Sequence, residues 1–258
     1  MNVSFIGSGN LAWHLAPALD NTDYPVREVY SQTARNAEAL VQRLYHAQVH
    51  PSLDFSSSAS KVFIISVADD VIEDVVREII LPERAILLHT SGSRSLGVLR
   101  SSATDSVGVL YPLQTFSKHK KVDLADVPFF IESGDADTES ILLNMAKGIS
   151  KKVFRISSEA RIGLHVAAVF ASNFTNHMLA ISSEIMTHNK LDFEHLKPLI
   201  AETINKSLSL GPDQSQTGPA RRGDLEILDK HLEFLKDDES VAEIYKVISQ
   251  HIVDRYVD

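Results

Sequence analysis

Short apolar β-type runs alternate with helix-spaced ones up to about residue 156, and only helical patterns follow. Those two observations predict an α/β protein, a mainly parallel sheet with helices on both faces, followed by an all-helical C-terminal domain. Val3–Ile6 reads as the first strand and Asn10–Leu19 as the first helix. Val26–Tyr30 and a helix over Ala34–Tyr45 come next, then the buried-type strand Lys61–Val67 and an amphipathic helix over Asp70–Ile80. Strands over Ala85–His89, Ser106–Leu110, Val127–Glu132 and Val153–Ile156 complete the sheet, with a helix at Thr138–Ile149. Ser157 and Ser158 are good N-caps for a long helix over Glu159–His188, about 45 Å at the usual rise. Helices over Leu191–Leu210, Leu225–Leu235 and Val241–Tyr256 follow, the last with a capping box of Ser240 and Glu243. A glycine- and proline-rich loop is expected over Gly211–Gly223, and the domains are expected at 1–156 and 157–258.

Composition excludes several classes. The net charge of -9 gives no broad grip on nucleic acid or anionic lipid. No cysteine is present, so disulfides, thiolate metal sites and cysteine nucleophiles are ruled out, which suits a cytoplasmic protein. Met1–Ile6 enters a strand pattern at once, so no secretory signal is expected. The low-charge stretch Gly163–Ser183 carries His165, Asn173, Asn176 and His177, so a buried helix is expected there and not a membrane span. The histidines show no metal-binding spacing and there is no G-x-S-x-G elbow, so neither a metal nor a serine hydrolase is predicted.

The segment Gly7-Ser8-Gly9-Asn10-Leu11-Ala12 matches G-x-G-x-x-G/A directly after a strand and at the start of a helix. Gly7 permits the tight turn, Gly9 lets backbone approach a pyrophosphate, and Ala12 allows close helix–strand packing. The first domain is therefore read as a Rossmann-type dinucleotide-binding domain. No carboxylate follows the second strand to bond a ribose hydroxyl. Ser31 and Thr33 can donate to a 2′-phosphate and Arg35 can pair with it, or the two hydroxyls simply cap the next helix. NADP is therefore favoured over NAD. Later strand ends place Val67 and Ala68 along the cofactor path and Thr90 and Ser91 toward the nicotinamide or substrate, while Asp69 and Asp70 read as helix caps.

GSGNLA, SQT-x-R, SVADD, HTSG, GVLYPLQTFS, HVAAVFASNF and TGPARRGD together resemble the Rossmann-like proteins with a helical C-terminal domain of unknown function, often labelled NADP oxidoreductases. More distantly the chain is similar to pyrroline-5-carboxylate reductase, the deazaflavin-dependent NADP reductases and the 6-phosphogluconate dehydrogenase superfamily. The resemblance spans nearly the whole chain and implies a homodimer formed through the helical domain. Such relatives often carry arginine directly after the serine that ends the second strand. Gln32 stands there in this chain, which transfers the phosphate-binding role to Arg35. In the hydroxyacid dehydrogenase branch a lysine and an asparagine on the equivalent long helix reach the substrate, and His165 and Asn173 resemble them in kind.

Hydride transfer also needs a group that gives or takes a proton. His165 and Asn173 share a helix face, His165 as proton donor or acceptor and Asn173 as an orienting hydrogen-bonder, unless they are a satisfied core histidine and its polar neighbour. Arg221 and Arg222 can bind a substrate carboxylate or phosphate, or belong to a turn or dimer contact. Tyr111 follows a strand and lines the cleft against the substrate. The expected function is NADP(H)-dependent hydride transfer to or from a small, anionic carbonyl, imine or hydroxy-acid metabolite. The rival is a dinucleotide-binding redox sensor or scaffold without turnover.

Overall fold

Strands built wholly from buried apolar residues can only be central strands of a sheet covered on both faces. The computed structural model describes residues 1–257 and shows this arrangement. In order come β1 (Val3–Ile6), α1 (Asn10–Asp20), β2 (Val26–Tyr30), α2 (Ala34–Val41), β3 (Gln48–Val49), β4 (Val62–Ile65), α3 (Ile72–Glu78) and β5 (Ile86–His89). Then follow β6 (Val107–Pro112), β7 (Phe129–Ser133), α4 (Ala136–Lys147), β8 (Val153–Arg155) and α5 (Ser158–Ala168). The eight strands form one sheet in the order β3-β2-β1-β4-β5-β6-β7-β8. All neighbours pair parallel except β6 and β7. The order reverses direction between β1 and β4, where open α/β sheets leave a crevice at their carboxyl ends.

Side chains alternate strictly across this sheet. Val3, Phe5, Ile64 and Leu88 pack under α1, α2 and α4, whereas Ile6, Phe63, Ile65 and Leu87 pack under α3 and the 3₁₀ turn Leu96–Ser101. His89 falls on the α3 side by the same alternation and is fully buried.

The first compact unit runs to Asn173 and takes in α5; the second spans Phe174–Asp258. Ser157 caps α5, its hydroxyl accepting from the Ala160 N–H at 3.2 Å. The uninterrupted α-helix expected over Glu159–His188 is corrected by a π segment at Val169–Phe174, whose wider turns separate α5 from α6 (Thr175–His188). In the second unit a 3₁₀ turn at Phe193–Leu196 precedes α7 (Lys197–Leu210), since Pro198 has no N–H to offer and is tolerated only in a first turn. The expected loop over Gly211–Gly223 contains two short helices, α8 (Pro212–Ser215) and α9 (Pro219–Arg222), each opened by a proline whose φ suits that place. Asp224 caps α10 (Leu225–Phe234) as expected. The cap of α11 (Glu239–Tyr256) is Asp238, which accepts from the Val241 N–H at 3.1 Å, so Ser240 and Glu243 lie inside the helix and form no capping box. Among the described residues no helix is long and apolar enough to cross a membrane.

One buried cation ties the first unit together. Arg161, on the first turn of α5, is fully buried and pairs with Glu132 of β7 at 3.0 Å. Its guanidinium also donates to the Ser91 carbonyl at 2.7 Å, and the Ser158 hydroxyl donates to Glu132 at 2.7 Å. Removing one partner of a buried pair strands the other charge. Glu132→Ala is therefore expected to cost about 3–5 kcal/mol of unfolding free energy in urea denaturation. The double variant Arg161→Met/Glu132→Leu should recover much of that loss, and a single-variant loss near zero would show the pair to be dispensable.

Candidate functional site

The carboxyl ends of β1, β2, β4, β5 and β6 surround a cavity of about 1060 Å³, lined entirely from the first unit. Gly7, Ser8, Gly9, Asn10 and Leu11 form one wall, with Ser31 and Thr33, then Val67 and Ala68, then Thr90, Ser91, Tyr111 and His165. All of these were singled out as site residues from the sequence, and the wall also takes in Gln32, Asn36, Gly92 and Lys118, which were not.

The glycine turn has the geometry its spacing implies. Gly7 has φ +108°, and a Cβ there would stand 2.2 Å from the Ser66 carbonyl oxygen. No side chain but glycine fits, because both the dihedral and the close approach of two strand ends forbid it. Gly9 is the N-cap of α1 and no side chain caps the helix, so its first-turn amides are left at the cavity wall with the positive end of the helix behind them. Ala12 is fully buried beneath this turn and packs in the core, so it shapes the site without lining it.

At the end of β2, Ser31 accepts from the Ser8 hydroxyl at 3.0 Å. Thr33 occupies the N-cap position of α2 but makes no capping hydrogen bond, and the first turn contains no acid. The reading of Thr33 as a mere cap is therefore corrected: its hydroxyl is left to the cavity. Arg35 is exposed and off the cavity wall, where Gln32 and Asn36 stand instead. Helix geometry gives neighbouring residues different directions, so a spacing match alone could not place it.

The other end of the cavity holds a pair of proton-carrying side chains. The Tyr111 hydroxyl lies 3.0 Å from His165 Nδ1, with the rings edge to face. Burial pushes the Tyr111 hydroxyl up from its ordinary value, so the phenol keeps its proton. Gly92 lies against both rings: a Cβ there would meet His165 Nδ1 at 2.4 Å and Tyr111 Cζ at 2.8 Å. Ser91 lines the cavity, but its hydroxyl accepts from the Ser93 and Arg94 N–H groups at 3.1 and 3.0 Å, so its main work is to shape the turn. Thr90 donates to the Ile65 carbonyl at 3.3 Å. Asp69 and Asp70 cap nothing, because α3 begins at Ile72 with Val71 as its N-cap. The Asp69 carboxylate accepts from the Ser93 hydroxyl and its carbonyl from Arg94 Nε.

Asn173 is exposed and does not line this cavity, and neither does His177. Arg221 and Arg222 lie in the second unit. Arg221 donates to the Tyr256 carbonyl at 2.7 Å and stacks on that ring at 4.5 Å, so part of its guanidinium is used in holding α9 to α11. Arg222 is exposed. Sequence reasoning missed Arg161, Gly92 and Tyr30. Arg161 and His165 are spaced i, i+4 on one helix face, and that spacing could have revealed them as a unit.

Beneath the site, His89 accepts from the Ser91 N–H through Nδ1 at 3.1 Å, which leaves the proton on Nε2, where no partner meets hydrogen-bond geometry. Burial, with the Arg161 guanidinium adding to it, depresses His89 to about 4 against the Ser95 backbone and Asp69, which oppose the shift. Between about 4 and 6.5 the unfolded chain takes up this proton and the folded chain does not. Stability is therefore whole above pH 6.5 and falls as the pH drops toward 4, by on the order of 3 kcal/mol from this group. Urea titrations across that range should show the fall, and His89→Leu should flatten it; an unchanged slope would place the titration elsewhere.

The strand order and glycine turn define a Rossmann-like fold, and comparison with known proteins agrees. A Rossmann-like domain matches residues 1–114 and the domain of unknown function DUF2520 matches residues 127–252. A solved structure from Bacteroides fragilis, described as a putative NADP oxidoreductase, is 36% identical with a TM-score of 0.87 over 98% of each chain. The chain belongs to this family of Rossmann-like proteins with a C-terminal DUF2520 domain. Protein TM1727 from Thermotoga maritima is 23% identical with a TM-score of 0.76, covering 98% of this chain and 99% of that one. A reductive aminase from Aspergillus terreus, solved with NADPH and ethyl-5-oxohexanoate, is 12% identical with a TM-score of 0.73, covering 98% of this chain and 94% of that one. Those two share the fold. No curated protein matches the chain.

Proposed function

We propose that this protein is an NADP(H)-dependent oxidoreductase that reduces, or forms by oxidation, a small anionic carbonyl, imine or hydroxy-acid compound. The observation that carries the reading is one cavity with a glycine turn and open helix amides at one wall and the Tyr111–His165 pair at another. The solved structures of similar fold include reductases bound to NADPH or NADP+, and the most similar one cited above is described as an NADP oxidoreductase. The residues present fit such a cofactor. Gly7 makes the turn without a Cβ, and Ser8, Gly9, Asn10 and Leu11 line the place for a diphosphate. Ser31, Gln32, Thr33 and Asn36 offer hydrogen bonds to a 2′-phosphate, and no carboxylate at the end of β2 repels it.

The bound nicotinamide would supply or accept hydride at the substrate carbon. Reduction then requires one proton on the substrate oxygen or nitrogen. His165 holds that proton, and Tyr111, fixed at its Nδ1, orients the ring and can relay the exchange. Gly92 lets the two rings sit this close to the backbone that follows β5. Val67 and Ala68 present apolar surface along the cofactor path.

The second unit supports a homodimer. Its helices α6, α7 and α11 bury no residue, and Leu208, Leu199 and Val247 are 82%, 63% and 62% exposed. Apolar helix faces of that extent are ordinarily covered by a partner. Light scattering on the eluted protein should read twice the chain mass, and a monomer would reject the dimer.

Fluorescence titration should show NADPH binding more tightly than NADH, and a screen of keto acids and imines should show NADPH oxidation. His165→Ala should lower turnover by about 100-fold or more while cofactor affinity stays within about twofold. Tight binding with no turnover across the screen would favour a sensor, and unchanged turnover in the variant would remove His165 from the chemistry.

A further inference from the structure

The segment joining β6 to β7 runs along the cavity wall to α1. Pro112, Gln114, Phe116 and Lys118 all line the cavity. The segment is anchored by His14, whose Nε2 lies 2.9 Å from the Ser117 carbonyl and whose ring stands 5.5 Å from Phe116. The anchoring leaves Lys118 with its ammonium 5.0 Å from the centre of the Trp13 ring. Trp13 is the fourth residue of α1, and helix side chains lean toward the N-terminus, so its ring lies beside the first turn and Lys118 with it.

Charge makes this position unusual. The cavity is lined by the carboxylates of Asp69, Asp74 and Glu78, and among the described residues Lys118 is the only lysine or arginine on its wall. Its ammonium makes no ion pair and no hydrogen bond among the described residues. Arg43 also sits on Trp13, at 4.2 Å, but it is exposed and off the cavity wall, donating to the Trp13 carbonyl. A polyanion entering an acid-lined cavity needs a cation that is not already paired.

We infer that Lys118 is the counter-cation for the diphosphate of the dinucleotide received by the first-turn amides of α1. The inference rests on the cofactor reading above and adds a residue from the far side of the sheet order to the glycine turn. The face of the Trp13 ring steadies the ammonium without supplying a hydrogen-bond acceptor, so its protons remain for phosphate oxygens.

Direct titration of the whole protein with NADPH and with NADH tests it. Lys118→Met removes the charge and keeps an unbranched apolar chain, and at low salt it should weaken both cofactors by the same factor, about tenfold, the low end for a hydrogen bond to a charged group. The loss should shrink at high salt, Lys118→Arg should restore most of the affinity, and Arg43→Met should leave both cofactors within about twofold. Thermal melts matching the wild type confirm that the variants fold. Unchanged affinity for both cofactors would overturn the inference alone. Loss for NADPH only would move Lys118 to the 2′-phosphate, and a raised substrate KM with unaltered cofactor binding would move it to the substrate; either also overturns it. A wild-type protein that binds neither dinucleotide would end the cofactor reading and this inference together.

Discussion

Arg161 is the interaction on which the ordering of the site depends. Its buried guanidinium joins three elements that are far apart in sequence: Glu132 in β7, the Ser91 carbonyl after β5, and its own helix α5. An ion pair whose cation is fully buried need not stabilise the fold more than an apolar pair would. What it does fix is geometry. The Ser91 carbonyl is held, Gly92 follows it, and His165 one turn further along α5 is set against Gly92 and Tyr111. A shift of α5 by a fraction of an ångström would have to move a desolvated charge.

The opposite wall is organised by an exclusion and not by an attraction. Gly7 and the Ser66 carbonyl approach so closely that any side chain would force β1 and β4 apart. The same closeness opens the crevice at the switch point and turns the first amides of α1 into it. The cavity therefore joins an end with open helix amides to an end with exchangeable protons, which is the arrangement the proposed hydride transfer with proton balance requires.

Much of this was legible in the chain. The largely apolar runs at Val3–Ile6, Val62–Ile65 and Ile86–His89 marked central strands, because two-sided burial is what such runs suit. The glycine motif marked its own turn, since the physical demand falls on single residues at fixed spacing. Helix caps were legible where one residue had no competitor, as at Asp224, and of the two serines offered for α5 the first, Ser157, is the cap. They were misread where several candidates stood together, as at Asp238 and Ser240, or Asp69 and Asp70. Arg35 stands exposed off the wall beside the lining residue Asn36, because motif spacing fixes which residue follows a strand and not which way it faces.

The sequence by itself determined all the strands but β3, the glycine turn and the change to helices, because each follows from local periodicity or from a residue with a unique conformational range. Tertiary structure alone decided that Arg161 is buried, that Tyr111 meets His165, and that Lys118 reaches α1. These are contacts between residues separated by tens to more than a hundred positions. Their strength comes from desolvation and three-dimensional approach, which no spacing along the chain encodes.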